Sequence, residues 1–201
     1  MTDNNDNISK LSIISANVCG FGQKHKRLSF FLKVKSYTPD IILLSDTRLD
    51  ENSEKVFINK IDYHCIFNSL TSEKWGVAIL LKKSLSITHS VIYRDNNGNI
   101  LTIKIEYDEQ TFLISSIYGP NLDDPQFFQC IFDRNSNNDC HMQLLGGDLN
   151  VTLNHEIDNH AYAAPRNINA RAKLNDLLDE HNFYDVYRNF NPYKKGIHME
   201  E

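Results

Sequence analysis

Residues 41–45, Ile-Ile-Leu-Leu-Ser, make an apolar run with no polar alternation. A strand that shows one face to water alternates apolar and polar residues, whereas a run apolar at nearly every position needs cover on both faces. A chain with such a strand must build layers on either side of it, which points to an α/β arrangement. Other strand-like runs lie at 11–18, 62–68, 75–83, 89–95, 99–107, 111–118 and 142–150. Asn96-Asn97-Gly98 separates two of them and has the residue types a hairpin turn requires. Leu28, Phe31, Leu32 and Val34 recur at helical spacing and predict a helix that Pro39 ends. Residues 125–135 and 169–182 read as two more helices, the second with Leu174, Leu177 and Leu178 as its stripe. Residues 151–168 read as a polar loop, and 183–190 as a strand or an irregular segment. The expected fold is an α/β sandwich of two mostly antiparallel or mixed sheets flanked by helices. At 201 residues the chain is long enough for one domain, expected over 11–201 behind a polar, disordered tail at 1–10.

Charge and cysteine usage narrow the function. A net charge of -5 and a pI near 5.9 do not suit a protein that grips nucleic acid by bulk electrostatics. They suit an enzyme that holds a cation among carboxylates and touches a polyanion locally, with weak binding. The four cysteines form no Cys-x-x-Cys pair, which argues against a zinc ribbon. Cys65, Cys130 and Cys140 read as packing residues. The polar start and the lack of an apolar run of roughly 18 residues predict an intracellular protein, nuclear or cytoplasmic, with no membrane partner.

Four polar clusters share one position, each following a strongly apolar strand. They are Asn17, Asp46, Tyr118-Gly119-Pro120-Asn121 and Gly147-Asp148-Leu149-Asn150. Strand ends along one rim are where α/β enzymes gather catalytic groups. These residue types suit phosphodiester hydrolysis, which needs a cation against the phosphate, an oriented water, and hydrogen bonds to the transition state. Asp46 offers a hard oxygen to Mg²⁺. Asp148 is placed to take or orient the proton of an attacking water. Asn17, Asn150 and Tyr118 offer neutral donors to phosphate oxygens.

The segments ANVCG, LSDTRL, WGVAILL, SIYGPN and GGDLN, in this order, resemble the endonuclease/exonuclease/phosphatase superfamily. Their wording is most similar to the apurinic-type endonuclease domain of non-LTR retrotransposons, over about residues 11–192. The resemblance implies a four-layer α/β sandwich, Mg²⁺ (or Mn²⁺) as cofactor, DNA as substrate and nicked DNA as product. It places Asn17, Asp46, Tyr118, Asp148 and Asn150 on active-site positions. Three departures accompany it. Asp46 stands where the family has glutamate, so its oxygen falls roughly 1.5 Å short. Cys19 stands where some relatives carry Asp or Asn, and a thiol is a poor ligand for Mg²⁺. The family continues beyond the position of Glu201 to a terminal Ser-Asp-His, a role for which His198 lacks the context. The expectation is a domain lacking its last strands, with an unpaired sheet edge open to self-association. It is either a nickase or an inactive remnant of one, with a phosphatase or RNase relative as the third reading.

Other charged groups have plainer readings. His155, Glu156, Asp158 and His160 lack zinc-protease spacing and read as a solvated loop. Lys24 and Arg27 read first as the charged start of a helix, and second as candidate phosphate contacts beside Asn17.

Overall fold

The computed structural model describes residues 10–58, 61–158 and 166–194. The expected tail at 1–10, apart from Lys10, lies outside them, as do His160 and His198. The chain divides into two compact units, one built from residues up to Tyr118 together with Cys140–Asp148, the other from Gly119–Asp139 and Leu149 onward.

The first unit contains both sheets. One has the order β1-β2-β4-β3, from β1 (Ile13–Asn17), β2 (Ile41–Ser45), β3 (Tyr63–Asn68) and β4 (Val77–Lys82). The other has the order β5-β6-β7-β8, from β5 (Thr88–Arg94), β6 (Ile100–Tyr107), β7 (Gln110–Tyr118) and β8 (Met142–Asp148). Each sheet pairs one parallel couple, β1 with β2 and β7 with β8, and its other pairings are antiparallel.

β2 is covered on both faces, as its unbroken apolar run requires. Ile41 and Leu43 enter the core between the sheets with Val77, Ile79, Leu101, Ile103 and Ile114. Ile42 and Leu44 enter a second core with Ala78, Leu80, Phe21 and Phe57. Each fully buried Ile or Leu stabilises by about 1.5–3 kcal/mol, so the four residues Ile41–Leu44, all 0% exposed, anchor the unit. A buried Ser116 hydroxyl donates to the Leu44 carbonyl at 3.0 Å and ties the two sheets together.

α1 (Lys24–Lys35) covers the outer core with Phe30, Phe31 and Val34. Its inward face therefore differs from the predicted stripe: Leu28 and Leu32 are exposed. The Phe21, Phe31 and Phe57 rings meet at 5.7 to 6.3 Å and draw the aromatic side of the helix inward. α2 (Glu51–Ile58) brings in Phe57 and is not expected from periodicity. It starts at Asp50, whose carboxylate accepts from Ser53 N at 2.8 Å, an N-cap bond.

The second unit is helical. α3 (Pro125–Asn135) starts with Asp124 accepting from Gln126 N and Phe127 N and with proline in its first turn. It packs against α5 (Ile168–Glu180), and Phe132 meets the rings of His181 and Phe183 at 5.0 and 5.4 Å. Leu174 and Leu177 are buried as predicted, with Ala170 as the third buried position. Two short helices differ from expectation. α4 (His155–Asp158) forms within the predicted loop, where Asn154 Oδ1 accepts from Glu156 N and Ile157 N. α6 (Val186–Phe190) replaces the strand or irregular reading, because Asp185 accepts from Arg188 N at 3.0 Å and starts a helical turn. Among the described residues, no helix is long and apolar enough to cross a membrane.

Candidate active site

In the first sheet the parallel strands β1 and β2 end together, with Asn17 opposite Ser45. The chain beyond them takes left-handed backbone at Cys19 (φ 44°), Asp46 (φ 55°) and Arg48 (φ 49°), and again at Trp75 (φ 66°) before β4. Such conformations cost roughly 1–2 kcal/mol per non-glycine residue and persist only when the surroundings impose them. Here the loops impose them on one another. Gly20 N donates to Asp46 O and Phe21 N to Thr47 O, both at 2.7 Å, and Arg48 N donates to Trp75 O at 2.8 Å.

The double left-handed turn folds Arg48 back over Asp46. Arg48 Nε donates to Oδ1 at 2.9 Å and Nη2 to Oδ2 at 2.6 Å, a bidentate fork. Asp46 is 3% exposed, so its charge needs this partner. Hydrogen bonding and charge from Asp46 raise the Arg48 guanidinium above its ordinary value.

In the second sheet the parallel strands β7 and β8 also end together, with Tyr118 opposite Asp148. The Gly146-Gly147 pair before Asp148 is a packing requirement. A Cβ on Gly147 (φ 132°) would lie 1.9 Å from the Ile117 carbonyl oxygen, and one on Gly146 2.5 Å from a Leu43 methyl. Two bare backbones thus let β8 approach its neighbours and set where Asp148 emerges.

One hydrogen bond joins the two rims: Asn17 Nδ2 donates to Asp148 Oδ2 at 2.7 Å. The other end of the Asn17 amide accepts from Cys19 N at 2.9 Å and from the Cys19 thiol at 3.4 Å. With its oxygen committed to an N–H, the amide can only present N–H to the carboxylate, and Asp148 is held in one rotamer. Tyr118 stands within electrostatic reach of both carboxylates. Burial first, then the charges of Asp46 and Asp148, push its phenol above the ordinary value and keep it a donor.

Asn17, Asp46, Tyr118 and Asp148 are therefore brought together where the rims of the two sheets meet in the first unit. Asn150 belongs to the second unit, in left-handed backbone (φ 52°). Its Nδ2 donates to Gly119 O at 2.7 Å, and its own carbonyl accepts from Asn167 Nδ2 at 2.9 Å. Gly119 is needed there, because a Cβ would lie 2.0 Å from the Leu149 carbonyl oxygen. Lys24 is exposed at the first position of α1. Arg27 turns inward and donates to the carbonyls of Phe21 and Gly22. Asp158 pairs with Arg188 within the second unit.

The donor set fits a hard divalent cation in kind. Mg²⁺ takes one or two carboxylates and completes its shell with water, and Asp46 and Asp148 supply carboxylates. No group of three or more His, Cys, Asp or Glu side chains is gathered for a metal among the described residues. Asp46 already holds a positive charge, with the Arg48 guanidinium as the stand-in cation. Arg48 is the residue at this site that sequence reasoning misses. Asp-Thr-Arg spells an ion pair only where both charged residues adopt left-handed backbone, which residue types do not announce.

The model for the Endonuclease/Exonuclease/phosphatase family matches residues 14–195. A DNA-(apurinic or apyrimidinic site) endonuclease of Dictyostelium discoideum is 28% identical over 94% of this chain, which spans 56% of that relative's length. In fold, the chain resembles the AP endonuclease LMAP from Leishmania major with a TM-score of 0.76 at 15% identity, covering 94% of this chain and 72% of that one. It also resembles the endonuclease domain of TRAS1, a telomere-specific non-LTR retrotransposon, with a TM-score of 0.60 at 14% identity, covering 85% and 71%. Two mixed four-stranded sheets flanked by helices are the α/β sandwich that the motifs predict. The family match spans nearly all of the described strands and helices, and the chain belongs to the endonuclease/exonuclease/phosphatase family.

Proposed function

We propose that this chain is a divalent-metal-dependent phosphodiesterase that nicks DNA, of the kind found in retrotransposon endonuclease domains. The observation that carries the reading is the Asn17–Asp148 hydrogen bond between the ends of β1 and β8, with Tyr118 in register beside Asp148. The names of the Dictyostelium and TRAS1 relatives support DNA as the substrate.

Each residue has a distinct task in this reading. Asp148 accepts the proton of a water aimed at the phosphorus, and the rigid Asn17 amide keeps its carboxylate on the line of attack. Asn17 is thus chiefly an orienting group. Tyr118, kept protonated, donates to a phosphate oxygen as charge grows in the transition state. Asn150 shapes the Gly119 loop through its amide and presents its side chain beside it. Asp46, with water completing the shell, would hold Mg²⁺ or Mn²⁺, which supplies positive charge against the phosphate when bound. Lys24 offers a screened outer contact to the DNA backbone, and the net charge of -5 keeps total affinity low.

The test is cleavage of end-labelled substrates in Mg²⁺ and in EDTA: intact duplex DNA, duplex with one abasic-site analogue, single-stranded RNA and a phosphoinositide. The reading expects Mg²⁺-dependent breaks in DNA alone. Turnover of RNA or of the phosphoinositide in preference to DNA would assign the site to another substrate class of the family.

A further inference from the structure

Arg48 occupies both oxygens of the carboxylate to which the cation is assigned, and the two partners differ in freedom. The Asp46 side chain is 4% exposed and fixed by a knitted loop, whereas the Arg48 side chain is 42% exposed. Its aliphatic stem runs over Gly20, with Cδ 3.3 Å from where a Cβ would sit, a close approach that the bare glycine eases. The left-handed turn at φ 55° and 49° is held by backbone bonds to Gly20 and Trp75 and presents the two side chains to each other in this fork. A divalent ion on Asp46 would stand at contact distance from the guanidinium, and like charges that close repel strongly where water is scarce. Mg²⁺ also demands near-ideal octahedral room, which a fork on both oxygens denies.

We propose that Arg48 competes with divalent cations for Asp46 and so sets the metal affinity of the site. This rests on the reading above that Asp46 holds the cation. The carboxylate stays in place while the solvent-facing guanidinium is the partner that leaves. Once displaced, its fork is free to face an anionic group at the same rim. Arg48 is a positioning residue in this scheme, acting through Asp46.

The experiment is Mn²⁺ titration of the full chain, with free ion read by its paramagnetic resonance signal, in the parent, Arg48→Gln, Arg48→Lys and Asp46→Asn. Circular dichroism confirms that each variant is folded, and Arg48→Lys, which keeps the charge, serves if Arg48→Gln does not fold. The expected result is Mn²⁺ binding at least tenfold tighter in Arg48→Gln, a smaller gain in Arg48→Lys because lysine cannot fork, and binding lost in Asp46→Asn. Unchanged or weaker binding in both Arg48 variants, with binding still lost in Asp46→Asn, would overturn the competition and leave the Asp46 assignment standing. Parent-like binding in Asp46→Asn would overturn both.

Discussion

The carboxylates at the ends of β2 and β8 serve neighbouring positions and are held in opposite ways. Asp46 is 3% exposed, sits in left-handed backbone and has both oxygens in a guanidinium fork. Asp148 is half-buried, lies in strand register opposite Tyr118 and takes a 2.7 Å hydrogen bond from a neutral amide. A buried ion needs a counter-charge, so the first rim is built around a cation. A carboxylate oriented by a neutral amide is held in a fixed direction, which suits a proton acceptor. The difference is consistent with the proposed reaction, in which Asp46 takes the cation and Asp148 the proton.

The largest expected effect lies on the second rim. Asp148→Asn keeps the shape and should lower DNA nicking by about a thousandfold or more, since an orienting base acts as a unit with its partners. Its urea midpoint should stay near that of the parent. A large loss of stability would show that Asp148 is structural, like Asp46, and would erase the contrast.

On the first rim the order of effects reverses. Arg48→Ala strands a buried carboxylate and should cost about 2 kcal/mol in urea unfolding, below the full cost of a buried pair because the arginine is partly in water. Asp46→Ala releases Arg48 to solvent and should cost less. Equal costs in the two variants would mean that the burial of Asp46 does not set the energetics.

Asn17→Ala should lower kcat about tenfold with little change in KM, since it frees the Asp148 rotamer without touching bound substrate. A change confined to KM would move Asn17 to substrate binding. The smallest effect is at Tyr118. Its phenol is raised in the fold, so the unfolded chain gives up this proton first as pH rises. The stability it contributes is present below the ordinary phenol range and lost as pH rises through the raised value. Urea unfolding between pH 9 and pH 11 should therefore fall more steeply in the parent than in Tyr118→Phe. Equal slopes would show that burial and the carboxylates together do not raise the phenol.

Much of this arrangement is legible in the residues. The unbroken run at 41–45 forces cover on two faces, and Asn17, Asp46, Tyr118 and Asp148 each end or follow a strand at the two rims. Gly146-Gly147 marks a close approach that only a missing Cβ permits. Other features escape because they are decided by tertiary contacts. Leu28 and Leu32 have helical spacing, but the ring cluster around Phe21 turns their side of α1 to solvent. The aromatic and β-branched content of 183–190 suggests strand, and a single cap at Asp185 decides for helix. The Arg48 fork depends on paired left-handed residues, for which Asp-Thr-Arg carries no signal.

The central claim is metal-dependent phosphodiester cleavage with Asp148 as the proton acceptor. Nicking of supercoiled plasmid in Mg²⁺, in EDTA, and by Asp148→Ala in Mg²⁺ tests it most directly. The account predicts nicking in Mg²⁺ that EDTA and the substitution each abolish. Nicking that persists in either control, or none from the folded parent in Mg²⁺, would contradict it.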